Sequence, residues 1–135
     1  MPAECVYTKN MASNWNVRVD AVSFDFDGTL DSNAAMRELC RMYRSAGKKV
    51  YILTSRPPIE YRNQDLYRIA KECGFELQEI LFSWGTTKAK MLEDYRIDLH
   101  FDNDPHAIHE INQLCGPGVG VLIHYQYLAQ DIYGD

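Results

Sequence analysis

The chain has 135 residues and a formal net charge of −5, from 14 basic and 19 acidic side chains. This length suits one domain with a substantial core, and 46% hydrophobic with 24% charged residues is typical of a globular protein. The acidic balance disfavours generic binding to nucleic-acid backbones or anionic membranes, which needs clustered positive charge. Because no apolar run could span a bilayer and no signal-peptide pattern is present, we expect a soluble, cytoplasmic protein.

The cysteines are widely spaced along the chain and form neither a CxxC pair nor a zinc-like cluster with histidine. We therefore predict free thiols rather than disulfides or a zinc site. Three of them fall in helical apolar patterns, which indicates small buried side chains. The four positions are Cys5, Cys40, Cys73 and Cys115.

Short apolar runs alternate with amphipathic segments along the chain. Glycine, proline and capping residues mark where the segments begin and end. In chain order, the first predicted elements are a strand at Val19–Asp25, a helix carrying Met36 to Tyr43 and ending at Gly47, a strand at Val50–Leu53, and a helix from Pro57-Pro58 to Gly74. These are followed by a short strand at Glu79–Phe82, a helix capped by Thr86 or Thr87, a strand at Ile97–Phe101, a helix starting at Asp104-Pro105 and ending at Gly116, and a strand at Val119–His124.

This alternation predicts an α/β fold: a Rossmann-like, three-layer α/β/α arrangement around a central, mainly parallel five-stranded sheet. We expect one domain over residues 1–135 with its core at about 19–125, and the role of residues 1–16 stays open. Ligands of such sheets bind at the carboxyl ends of the strands. The polar residues that follow the apolar runs there are Asp25, Thr54 and Asp102.

The segment Asp25-Phe26-Asp27-Gly28-Thr29-Leu30 directly follows a predicted strand. Two carboxylates this close repel each other, which raises one pKa unless a cation compensates. The pattern suits a nucleophilic aspartate, a protonatable aspartate and a hard cation such as Mg²⁺. The plainer alternative is a β-turn with solvated aspartates.

With this DxDGT segment, residues 19–125 resemble the haloacid dehalogenase-like (HAD) phosphohydrolase superfamily. The resemblance implies that Asp25 attacks phosphorus and forms an aspartyl-phosphate. It implies that Asp27 is the general acid and base, and that the Asp27 backbone carbonyl binds Mg²⁺. Because family members that dehalogenate lack the second aspartate, Asp27 indicates phosphatase chemistry.

Two further segments match the superfamily. In Val50–Arg56 (VYILTSR) the resemblance implies that Thr54 holds the transferring phosphoryl group. Ser55 and Arg56 follow and could reach a substrate phosphate, Arg56 bidentately; the alternative is a strand end with a solvated arginine.

In Thr86-Thr87-Lys88-Ala89-Lys90 the resemblance implies a lysine that stabilises the nucleophile and the phosphoryl charge. Lys88 is preferred because a cation near a helix N-terminus opposes the helix dipole and needs a functional reason. Lys90 is the fallback, and a solvated surface lysine is the plainer alternative.

The segment Asp98-Leu99-His100-Phe101-Asp102-Asn103-Asp104 matches the superfamily's metal-binding loop. Asp102 is the implied direct ligand, so the expected Mg²⁺ set is Asp25, Asp27, Asp102 and Asp104. Many relatives carry adjacent aspartates here, whereas this chain has Asn103 and then Asp104. Asp104 therefore binds metal directly, binds it through water, or only caps a helix. For His100 we expect a hydrogen-bonded core histidine.

The gaps between these segments are too short for the cap domain that many relatives insert. We therefore expect an open active site that leaves room for a macromolecular phosphorylated substrate, with no membrane partner and no charge-based indication of nucleic acid. The sequence predicts a Mg²⁺-dependent phosphomonoester phosphatase. The alternatives are a phosphotransferase or mutase using the same residues, and a catalytically silent module that binds phosphate or Mg²⁺.

Overall fold

The computed structural model of the chain describes residues 18–124. Over that range five strands alternate with four α-helices, which confirms the predicted α/β order. The predictions for residues 1–16 and for Cys5 lie outside the described residues. The strands are β1 (Ala21–Phe24), β2 (Lys49–Thr54), β3 (Ile80–Phe82), β4 (Leu99–Asp102) and β5 (Gly120–Leu122). The helices are α1 (Ala34–Ser45), α2 (Gln64–Glu72), α3 (Lys88–Tyr95) and α4 (Pro105–Leu114).

The strands form one parallel sheet in the order β3-β2-β1-β4-β5. Phe24 at the end of β1 pairs in register with Ile52 of β2 and Phe101 of β4. The strand order reverses at β1, and such a switch point opens a crevice at the carboxyl edge of the sheet. The sheet therefore brings Asp25 and Asp102 to the same edge.

Helices cover both faces of the sheet, as the three-layer prediction requires. Val22 and Phe24 of β1 point into a core shared with Cys40 of α1 and Leu66 of α2. The other face packs against α3 and α4 through residues that include Ala21, Leu53, Leu92 and Ile111. The ring of Phe24 stacks on that of Phe101 at 4.8 Å, which ties β1 to β4 just below the candidate site.

The second helix begins later than predicted. It starts at Gln64, not at Pro57-Pro58, and the intervening chain contains only a short 3₁₀ turn at Glu60–Arg62. A residue before proline avoids the helical conformation, so Pro58 keeps Pro57 extended. The Asn63 side chain then donates to the carbonyls of Pro57 and Ile59 at 2.9 and 3.0 Å, which fixes this segment as a loop. The other element boundaries differ from prediction only at their ends.

The chain between the matched segments contains no cap domain, as expected. Thr29 to Thr54 spans only α1, β2 and their flanking turns, and Thr54 to Lys88 spans two 3₁₀ turns, α2 and β3. In the part of the chain that the structure describes, no helix is long and apolar enough to cross a membrane. Cys40, Cys73 and Cys115 are free thiols, the first two of them buried.

Candidate active site

Lys88 joins two aspartates at the carboxyl edge of the sheet. Its Nζ donates to Asp25 Oδ1 at 2.8 Å and to Asp102 Oδ2 at 2.7 Å. The Lys88 and Asp25 side chains are only 10% and 8% exposed, and Asp102 is 1% exposed. Lys88 opens α3, where the helix dipole is unfavourable for a cation. The two carboxylates compensate for that field, and the structure therefore brings together three of the residues that the sequence predicted.

The DxDGT segment wraps around Asp25 in a wide, π-type turn over Phe26–Leu30. Gly28 has a φ of 80°, a conformation that glycine adopts without steric cost. The turn brings the buried Thr29 hydroxyl back to donate to Asp25 Oδ2 at 3.2 Å. Asp25 is thus oriented by hydrogen bonds to both of its carboxylate oxygens.

His100 holds Asp102 from beneath the site. The ring is fully buried, with Nε2 at 2.8 Å from Asp102 Oδ2 and Nδ1 at 2.7 Å from the Ser23 hydroxyl. Because a carboxylate only accepts, Nε2 carries the proton and Nδ1 of a neutral ring accepts from Ser23. The prediction of a hydrogen-bonded core histidine is confirmed. The alternation along the strand predicts that His100 shares a face with Asp102, and the structure adds their direct hydrogen bond, which the sequence analysis did not predict.

Burial and the neighbouring charges shift the pKa values of this cluster in different directions. Burial raises the pKa of Asp25 to about 7, with Lys88 opposing the shift. Burial also acts against the ionisation of Asp102, but the His100 hydrogen bond and the Lys88 charge outweigh it and lower the pKa to about 2. Burial would lower the pKa of Lys88, yet the two aspartates raise it. In the absence of a metal, Asp102 is therefore the ionised partner of Lys88, and Asp25 is the carboxyl that takes up a proton.

Burial lowers the pKa of His100, against the opposing hydrogen bond to Asp102. The ring is consequently neutral at physiological pH, in agreement with the tautomer assigned above.

Thr54, Ser55 and Arg56 occupy the end of β2 beside Asp27. Thr54 is fully buried, and its Oγ1 accepts from the Arg56 backbone N–H at 3.2 Å. The Arg56 guanidinium pairs with Asp27 at 2.7 and 3.0 Å and with Asp65 at 2.8 and 3.0 Å. Sequence reasoning missed Asp65. The only signal for it was an acidic residue in the first turn of the helix that follows the arginine loop.

A cleft of about 390 Å³ opens beside Lys88. A volume in the range of roughly 300–1,000 Å³ is usual for small-molecule sites. A larger depression of about 520 Å³ lies at the amino edge of the sheet and contacts none of the predicted site residues. Of these two hollows, the cleft beside Lys88 is the one that contains predicted site residues, and its walls are Ser55, Ser83, Thr86, Thr87, Lys88, Asp104, His106, Ala107 and Glu110.

Lys90 and Asp104 have contacts that differ from those of the central cluster. Lys90 is exposed and pairs with Asp94 on the outside of α3, so Lys88 is the lysine at the site. The Asp104 side chain accepts from the His106 backbone N–H at 3.0 Å and caps α4, which confirms its predicted capping role. Its role as a metal ligand stays a prediction.

The carboxylates of the site can be judged as ligands for Mg²⁺ by their number and placement. Within residues 18–124 no group of three or more histidine, cysteine, aspartate or glutamate side chains is arranged as a metal site. Mg²⁺, however, is commonly held by one or two carboxylates together with water and substrate phosphate oxygens. Asp25 and Asp102 present two buried carboxylates that converge on one cation, the Lys88 ammonium. These residues fit a Mg²⁺ site that substrate completes.

Comparisons with known proteins support the fold. No protein-family model and no curated protein sequence matches the chain. Among solved structures, a universal stress protein in complex with cAMP is similar, with a TM-score of 0.53 and 13% sequence identity. The match covers 82% of this chain and 100% of that one. At this level of identity the likeness establishes the Rossmann-like α/β fold alone.

Proposed function

We propose that the chain is a Mg²⁺-dependent phosphomonoester phosphatase of the haloacid dehalogenase-like type. The observation that carries the proposal is the meeting of Asp25 and Asp102 at Lys88 Nζ, at the carboxyl edge of a parallel sheet. Phosphoryl transfer needs a placed nucleophile and fixed positive charge near the equatorial oxygens, more than it needs elaborate covalent chemistry. The DxDGT turn supplies the nucleophile, and Lys88 supplies the charge.

In the first step Asp25 attacks phosphorus, so that an acyl-phosphate bond forms and the bond to the leaving oxygen breaks. Asp27 must be protonated in the enzyme–substrate complex, although both of its oxygens accept from Arg56 in the structure, and it gives that proton to the leaving oxygen. In the second step Asp27 removes a proton from water, which attacks phosphorus, releases inorganic phosphate and restores the Asp25 carboxylate. Lys88 and Thr54 stabilise the phosphoryl oxygens throughout.

Asp25, Asp102 and the Asp27 backbone carbonyl would hold Mg²⁺, with Asp104 as a further candidate. When bound, the cation supplies charge neutralisation between the carboxylates and the incoming phosphate. Ionisation of Asp25, which burial disfavours, is the state that both the cation and the attack on phosphorus require.

The absence of a cap between the matched segments supports a substrate that is not enclosed by the protein. The cleft beside Lys88 offers about 390 Å³ for the group that carries the phosphate. A phosphorylated macromolecule could present its phosphate at this open edge, and so could a small phosphate ester. The substrate panel below separates these possibilities.

The test is Mg²⁺-dependent phosphate release by the wild-type chain and by Asp25→Asn. The panel contains an aryl phosphate, sugar phosphates, nucleoside monophosphates, a 3′-phosphorylated oligonucleotide and a phosphopeptide. We expect release that chelator abolishes and that falls by a factor of about 10³ or more in Asp25→Asn, because this change removes the nucleophile. The matched control is Asp94→Asn, which alters an exposed carboxylate on the outside of α3 and should leave release unchanged.

Full release by Asp25→Asn would contradict the proposal. Transfer of phosphate to an added alcohol in preference to water would identify a phosphotransferase instead. If no panel member is hydrolysed while Mg²⁺ still raises the melting temperature of the wild-type chain, the chain is a binding module. The cAMP bound by the universal stress protein belongs to that protein's own site, and cAMP enters this panel only as a competitor.

A further inference from the structure

The guanidinium of Arg56 has all of its N–H groups engaged. Arginine offers one N–H at Nε and two at each terminal nitrogen. Nε and Nη2 donate to the two oxygens of Asp27 at 3.0 and 2.7 Å. Nη1 and Nη2 donate to the two oxygens of Asp65 at 2.8 and 3.0 Å. The remaining Nη1 hydrogen faces Asn63 Oδ1 at 3.3 Å and the Arg62 carbonyl at 3.4 Å.

Contact with an aromatic ring also fixes the plane of this guanidinium. Its Cζ lies 5.0 Å from the centre of the Phe26 ring, within the range of a cation–π contact. The hydrogen bonds that Arg56 donates to Asp65 and Asp27 also raise its pKa, which keeps it charged. Arg56 is thus a rigid link between α2, which carries Asp65, and the DxDGT turn, which carries Asp27.

This arrangement bears on the role of Arg56. A phosphate ligand needs donors that face the substrate, and here Arg56 would have to break a bidentate pair before it could donate to phosphate. Asp27, in contrast, has a side chain that is 54% exposed. An exposed carboxyl without a fixed partner samples several rotamers, whereas a general acid must sit within hydrogen-bond reach of the leaving oxygen.

We propose that Arg56 and Asp65 are positioning residues, which hold the carboxyl of Asp27 at the leaving-group side of the site. This inference rests on the proposed function. Asp65 fixes Arg56 through two charge-assisted hydrogen bonds, and Arg56 in turn fixes Asp27 through two more. Asn63 links Arg56 to the preceding loop, because its Oδ1 accepts from Arg56 and its amide donates to the carbonyls of Pro57 and Ile59.

The leaving group distinguishes a positioning role from substrate binding. An alkyl phosphate expels a strongly basic alkoxide and depends on a placed acid, whereas p-nitrophenyl phosphate expels a weakly basic phenolate that needs little protonation. Binding of the phosphoryl group is common to both substrates. A residue that positions Asp27 therefore slows the first step selectively for the alkyl phosphate, whereas hydrolysis of the aspartyl-phosphate, in which Asp27 is the base, is common to both substrates. A phosphate ligand affects the first step of both substrates alike.

The experiment measures the rate of alcohol or phenol release in the first turnover, together with KM, for Asp65→Asn on propyl phosphate and on p-nitrophenyl phosphate, in Mg²⁺ and at one pH. We expect the first-turnover rate for propyl phosphate to fall about tenfold, the lower end for loss of an outer hydrogen-bond partner. We expect the first-turnover rate for p-nitrophenyl phosphate to change by less than about twofold, because its leaving group needs little acid. Asp27→Asn provides the reference pattern, with the same selectivity and a loss of about a hundredfold or more on propyl phosphate.

Asp94→Asn is the matched control, because it also removes one exposed partner of a surface ion pair, and it should leave both substrates unchanged. Equal losses on the two substrates, a rise in KM shared by both, or no change at all in Asp65→Asn would overturn the positioning role. The first two outcomes would assign Arg56 to the substrate phosphate. Absence of release by the wild-type chain from either substrate would instead overturn the proposed function, and this role with it.

Discussion

Asp25 and Asp102 share one cation but occupy different electrostatic environments. Asp102 accepts hydrogen bonds from His100, from Lys88 and from the Asp104 backbone N–H, so its negative charge is well supported despite burial. Asp25 accepts hydrogen bonds from Lys88 and from the Thr29 hydroxyl, and burial dominates its titration. This asymmetry suits the proposed roles, since Asp102 stays an anion for Mg²⁺ and Asp25 becomes fully ionised when a second cation arrives.

The raised pKa of Asp25 predicts how stability depends on pH without metal. In the folded chain the pKa is about 7, against an ordinary value of 3.8. The folded state therefore retains a proton that the unfolded state has released, and this stabilisation is lost as pH rises from about 4 to about 7. Asp25→Asn removes the effect. We expect the free energy of unfolding of the variant, relative to wild type, to increase over that range by an amount on the order of a few kcal/mol.

Urea unfolding in chelator at several pH values measures this difference. Asp102 does not confound it, because its lowered pKa places its contribution below about pH 4, where stability is lost as pH falls. A difference between variant and wild type that stays constant from about pH 4 to about pH 7 would show that Asp25 titrates normally in the folded chain.

At the scale of secondary structure, the start of α4 orders the loop that follows β4. Asp104 donates its backbone N–H to Asp102 Oδ1 at 3.0 Å, and its side chain caps α4 at the His106 N–H. Pro105 stands at the first helical position, where its missing N–H costs nothing. Asp104 thus both starts α4 and helps to orient Asp102.

Two substitutions of Asp104 separate capping from metal binding. Asp104→Ala removes the cap and should lower the free energy of unfolding by about 1 kcal/mol. Asp104→Ser keeps a capping oxygen and should stay close to wild type. An unchanged Mg²⁺ concentration for half-maximal phosphate release in both variants would restrict Asp104 to capping. A tenfold or larger increase in that concentration for Asp104→Ser would instead identify Asp104 as a ligand.

For the whole molecule, the alternation of apolar strands and amphipathic helices was sufficient to predict the parallel sheet and its two helical layers. It also placed Asp25, Thr54 and Asp102 at the carboxyl edge, because every parallel strand ends there. The hydrogen bond between Ser23 and His100 could not be predicted from the sequence, since it depends on β4 lying beside β1 in a particular register. The Arg56–Asp65 contact was equally hidden, because it required α2 to begin at Gln64 rather than at the proline pair.

The central claim is that Asp25 becomes covalently phosphorylated during turnover. The most direct measurement mixes the chain with p-nitrophenyl phosphate carrying radiolabelled phosphate, because its leaving group needs little acid, then quenches in acid and maps the labelled peptide. Asp27→Asn should accumulate label on the peptide that contains Asp25, because the variant lacks the base for the second step. Label that is absent from this peptide in Asp27→Asn, or that persists in Asp25→Asn, would contradict the account.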